Sequence, residues 1–119
     1  MGLNGKMDVR ATFVGLKGIP WFALAHNSLY PALNFGEREI SMTVIRTVQR
    51  PYSELESVSV RQALWTHSLI LEFADTNTTF VANFRSELGL SEALQVLSTK
   101  IRRGLFTPEA IKVAHLDED

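Results

Sequence analysis

Hydrophobic and polar residues alternate through the stretch from Glu39 to Val60: Ile40, Met42 and Val44 are interleaved with Ser41 and Thr43, and Val58 and Val60 with Ser57 and Ser59. A period of two puts one oily face against a core and leaves hydroxyls on the other, the pattern of a half-buried strand. Arg50-Pro51 breaks the ladder, because proline has no backbone donor and biases its neighbour toward extended geometry. The stretch is therefore expected to form two neighbouring antiparallel strands joined by a proline-centred turn.

The same alternation runs on both sides of it. Val9, Ala11 and Phe13 oppose Arg10 and Thr12, ahead of a turn at Gly15 and Lys17-Gly18. Trp21 to Ala25 form a second apolar run, with Trp21-Phe22 assigned to the core. Leu29, Pro31, Leu33 and Phe35 share one face of a third strand, whose proline places it at an edge or bulge. Beyond Val60 the alternation fades through RQALWTH and returns with Leu69, Leu71 and Phe73 facing inward. Asp75-Thr76-Asn77 supplies turn chemistry, and Phe80, Ala82 and Phe84 line a last strand. The last three runs read as a meander.

At Ser86 the period changes to 3.6: Leu90, Leu94, Leu97 and Ile101 make one helical stripe. Ser86 or Ser91 suits the start of this helix, Lys100, Arg102 and Arg103 suit its negative end, and Gly104 suits the residue that stops it. Thr107-Pro108 opens a second, shorter helix through about His115, ahead of the acidic tail Asp117-Glu118-Asp119. Residues 1–8 read as a flexible lead, 9–104 as the domain, and 105–119 as the short helix and tail.

About seven strand-like runs followed by a strong helix define an α+β chain whose curled antiparallel sheet is closed by that helix. Four features carry a resemblance to the pleckstrin-homology (PH) superfold, specifically its small bacterial PH-like domains. They are the Ile40-Met42-Val44 alternation, the segment from Tyr52 to Val60, the strands ending at Phe73 and Phe84, and the Leu90–Ile101 helix. The resemblance spans about Ser28 to Arg103 and implies a barrel-like pair of near-orthogonal sheets with the helix plugging one open end. The chain departs from the lipid-binding members: no run of Lys and Arg stands between Leu24 and Arg38, and the helix carries Leu94 and Leu97 in place of a tryptophan. Lipid binding is accordingly not carried over from the resemblance.

Composition narrows the function further. The chain has 119 residues, about one domain, with a formal net charge of −1, so no overall field selects nucleic acid or an anionic membrane as a partner, and any basic patch is local. It contains no cysteine, which excludes disulfides and thiolate chemistry and agrees with a cytoplasmic setting. Lys17, Gly18 and Pro20 interrupt the apolar region from Phe13 to Leu24, so neither a spanning helix nor a signal peptide is expected. His26, His67 and His115 are scattered, no metal set or cofactor motif is present, and no serine sits on a glycine-flanked strand-to-helix turn. Glu37 and Glu39 flank Arg38 in a turn, which suits a solvated surface rather than an acid–base pair.

The expectation is a non-enzymatic PH-like binding or assembly module acting through its surface on a protein partner or on itself. Ile45 and Ile70, placed outward by strand parity, are its candidate self-association residues. The alternative is a peripheral membrane adaptor that holds anionic headgroups with Arg46, Arg50, Arg61 and Trp65. Its plainer counterpart pairs Arg46 and Arg50 with Glu54 or Glu56 as surface charges, each pair worth about 0–1 kcal/mol. A weaker alternative is a small ligand carrier or enzyme with a pocket inside the sheet.

Overall fold

Among the described residues, three short strands and a long hairpin lead into the centre of the chain: β1 (Gly5–Met7), β2 (Val9–Leu16), β3 (Ile19–Asn27), β4 (Ala32–Phe35) and β5 (Glu39–Thr43). They are followed by β6 (Thr47–Pro51), β7 (Leu55–Ala63), β8 (Thr66–Phe73), β9 (Thr78–Phe84), α1 (Glu87–Ser98) and α2 (Pro108–Val113). The computed structural model describes residues 5–17, 19–27, 29–63, 66–74 and 76–116. The fold is α+β, with two antiparallel sheets ordered β1-β4-β5-β6 and β3-β2-β9-β8-β7.

Two long stretches of chain are shared between the sheets. Only Asp8 separates β1, paired with β4, from β2, paired with β3 and β9. The chain from β3 to β4 returns antiparallel along the same route, and its break has a side-chain cause. The Asn27 amide donates to the Val44 carbonyl at 2.7 Å, while its oxygen accepts from the amides of Leu29 and Tyr30 at 3.1 and 2.9 Å. This local bonding replaces ladder hydrogen bonds, and Pro31, lacking a donor, delays re-entry until Ala32. Leu29, expected on the inward face of a strand, is instead 83% exposed, beside Tyr30 at 80%.

One core lies between the sheets. Leu33, Phe35, Ile40 and Met42 come from the first, and Val58, Leu69, Leu71, Phe80, Ala82 and Phe84 from the second. The expected Ile40-Met42-Val44 face is buried throughout, and the β7-β8-β9 meander forms as read. Thr12, buried on β2, donates to the Thr43 carbonyl at 2.6 Å, tying the two sheets together.

The pairing expected inside Glu39–Val60 differs. β5 pairs with β6, Thr43 opposite Thr47 and Ile40 opposite Arg50, across a turn at Val44-Ile45-Arg46 that has no glycine, proline or asparagine to announce it. The Val44 amide bonds the Arg46 carbonyl at 3.4 Å, and the Thr43 and Thr47 hydroxyls lie 2.7 Å apart. Pro51 marks the crossing between sheets rather than a hairpin: a single 3₁₀ turn, Tyr52–Glu54, leads into β7.

In α1, Leu90, Leu94 and Leu97 are fully buried, each contributing about 1.5–3 kcal/mol. The Ser86 hydroxyl caps the start, accepting from the Gly89 amide at 3.1 Å. The helix stops earlier than its stripe suggests, because Ser98 and Thr99 turn their hydroxyls onto the carbonyls of Gln95 and Val96, each at 2.6 Å. Gly104 sits in a separate 3₁₀ turn and is not the residue that ends α1.

Both expected domain limits move outward. Residues 5–7 belong to a sheet rather than to a mobile lead. At the other end Phe106 bridges Val58 in parallel, the Thr107 amide donates to the Val58 carbonyl at 2.9 Å, and Thr107 caps α2. Phe106, Ala110, Val113 and Ala114 are buried in the common core, and the Gln95 amide holds the Ala114 carbonyl at 3.0 Å. The second helix is thus docked on the edge of β7 and against α1. The side chains of Trp21 and Phe22 and the tail 117–119 lie outside the described residues.

Candidate functional site

Strand pairing brings a cavity of about 260 Å³ to the end of the molecule where the β5-β6 turn meets β8 and β9. Val14, Met42, Val44, Val48, Phe73 and Phe80 form its apolar lining, with Thr76, Thr78 and Thr79 to one side. Arg46 and Arg50 are the charged side chains among the described lining residues, and Ile45 stands at the tip of the turn, 83% exposed.

The register explains how a cation comes to face this cavity. Residues directly opposite in an antiparallel pair point to the same side of the sheet. Arg50 lies opposite fully buried Ile40, as Val48 lies opposite buried Met42, so both face the space between the sheets. Because β6 is an edge strand, the Arg50 side chain can reach out to water, and an inward-pointing charge also discourages edge-to-edge association. Arg50 Nη1 lies 3.5 Å from Glu54 Oε1, a half-exposed ion pair that neutralises part of its charge. Arg46 is exposed on the turn, with no ion pair to another described residue.

The sequence-derived set of four therefore divides. Arg46 and Arg50 both line the cavity, Arg50 from β6 and Arg46 from the turn that precedes it. Arg61 does not join them: it lies on β7 opposite Ser68, on the face away from the core and at the other end of the sheet from the Leu55–Phe73 pair that borders the cavity. Six residues of strand correspond to about 20 Å. Trp65 lies outside the described residues.

The two isoleucines also part. Ile70 occupies the outer face, as parity requires, but it is 7% exposed and sits opposite buried Val81, so it offers no patch to a second chain. Ile45 alone remains available. Sequence reading missed the wall formed by Val48, Phe73 and Phe80, because contact between β6 and the β8-β9 pair is a tertiary property.

Elsewhere, His67 Nδ1 lies 3.1 Å from the Gln62 amide. No group of three or more His, Cys, Asp or Glu among the described residues is placed to hold a metal. No helix formed by the described residues is long and apolar enough to cross a membrane. No protein-family model, curated protein or solved structure matches this chain.

Proposed function

We propose that this chain is a non-enzymatic PH-like binding module that docks on an anionic membrane surface through its β5-β6 turn. The observation that carries the reading is the convergence of exposed Ile45 with Arg46 and Arg50 at the mouth of one cavity. The PH-like likeness is supported by the chain path. Taken as continuous, β1 with β2 and β3 with β4 reduce nine strands to seven extended segments, followed by a helix whose leucines enter the core.

Magnitudes set the strength of such docking. Burying Ile45 supplies about 1.5–3 kcal/mol, and each arginine near an anionic leaflet about 1 kcal/mol. The sum of about 3.5–5 kcal/mol corresponds to a millimolar-range affinity, weak and reversible. Sedimentation with phosphatidylglycerol vesicles should therefore be partial, fall as salt is raised from about 50 to 200 mM, and vanish for Ile45→Glu and Arg46→Glu. Equal pelleting with phosphatidylcholine vesicles, or full pelleting of Arg46→Glu, would overturn the reading.

Protein–protein or self-association is the second reading. It is favoured by Leu29 and Tyr30, an exposed apolar pair held in place by Asn27. Light scattering distinguishes the two readings: a mass above one chain that falls with Tyr30→Glu and is indifferent to Arg46→Glu supports association.

A further inference from the structure

The lining of the cavity is not that of a bare anion site. A phosphate or sulfate held by Arg46 and Arg50 would leave the wall of Val14, Met42, Val44, Val48, Phe73 and Phe80 unfilled. A wholly apolar ligand would press against the Arg46 guanidinium, which would then lose water without gaining a partner. The volume of about 260 Å³ falls just short of the ~300–1,000 Å³ of drug-sized sites, so the space is suited to one flexible chain rather than a ring system. Two arginines and three threonines beside a wall of six apolar side chains match a molecule that joins one charged head to one hydrocarbon tail.

We infer that the cavity binds a single-chain amphiphile with one anionic head, its hydrocarbon tail between the two sheets and its carboxylate or phosphate at Arg46 and Arg50. This rests on the docking reading for the site but goes beyond it, because the tail enters the protein rather than remaining in a bilayer. Arg46 supplies the main head contact, since Arg50 already shares its charge with Glu54 at 3.5 Å. Ile45, exposed at the lip, lies where the tail must pass.

The test is titration of the full chain, without vesicles and below the micelle-forming concentration, with sodium decanoate and with decyl phosphate, followed by nuclear magnetic resonance. Saturable one-to-one binding is expected, with shifts centred on Val14, Met42, Val44, Val48, Phe73 and Phe80. Octanoate, two methylenes shorter, should bind about fifteenfold more weakly than decanoate, since each methylene removed from water is worth about a fourfold change. Arg46→Gln, on an exposed turn, should weaken decanoate about two- to fivefold and leave decanol unchanged. Val48→Trp should fill the cavity and abolish binding of all four compounds, with circular dichroism checking that the variant is folded.

Tighter binding of decanoate points to a free fatty acid, and tighter binding of decyl phosphate to a lysolipid-like head. Shifts lying elsewhere, absence of saturation, or indifference to chain length overturns the inference. Decanoate uptake by a chain that does not pellet with vesicles removes the docking reading and leaves the inference standing. Pelleting without uptake does the reverse.

Discussion

The Tyr52 hydroxyl donates to the Gly36 carbonyl at 2.7 Å, joining the corner where the chain leaves one sheet to the turn between β4 and β5. The Tyr52 amide bonds the Arg38 carbonyl at 3.1 Å, so one residue pins both ends of that turn to the crossover. A Cβ added at Gly36 would lie 3.0 Å from the Glu39 carbonyl oxygen, which is why the turn is this tight only with glycine.

Burial pushes the Tyr52 phenol up from 10.0 to about 12. Below pH about 10 both the folded and unfolded chains keep this proton, and stability does not depend on it. Above it the unfolded chain ionises first, so stability should fall progressively until pH about 12, by roughly 2–3 kcal/mol in total. Urea unfolding across this range should show the loss in the wild type and a shallower slope in Tyr52→Phe. That variant should also be about 1 kcal/mol less stable at neutral pH, from the missing hydrogen bond. Identical alkaline slopes for the two proteins would contradict this account.

The docking of α2 predicts that residues after Gly104 support the fold. Phe106→Ala should cost about 3–5 kcal/mol, since it removes a buried ring between β7 and α2. Chemical denaturation measures this directly. A loss below about 1 kcal/mol, within the range of surface changes, would mean that the segment is dispensable.

Ile70→Glu separates burial from association. A carboxylate placed beside Val81 would be desolvated without a designed partner, at a cost of about 2 kcal/mol or more. The variant should melt at lower temperature while its solution mass matches that of the wild type. A lower mass with unchanged melting would restore Ile70 as an interface residue.

Much of this architecture can be read from side-chain order, and the parts that cannot share a physical reason. The faces formed by Ile40-Met42-Val44, Leu69-Leu71 and Phe80-Ala82-Phe84 follow from a backbone that alternates its side chains, whatever their neighbours. Ser86 and Thr107 cap helices by local bonds to residues three positions on, so they too were legible. The turn at Val44-Ile45-Arg46 was not, because it is secured by distant groups. Asn27 takes the Val44 carbonyl, and Thr12 takes that of Thr43.

The site follows the same division. Sequence parity alone determined that Ile70 faces away from Leu69 and Leu71, whereas Arg46 stands on a turn, where parity does not apply. Tertiary structure decided that Arg50 faces the space between two sheets, that Arg61 lies at the far end, and that Ile70 is covered by its neighbours. Periodicity sets the side of a strand on which a residue stands. What lies across from that side depends on which strands pair and where the chain crosses between sheets, and those contacts join residues far apart in the sequence.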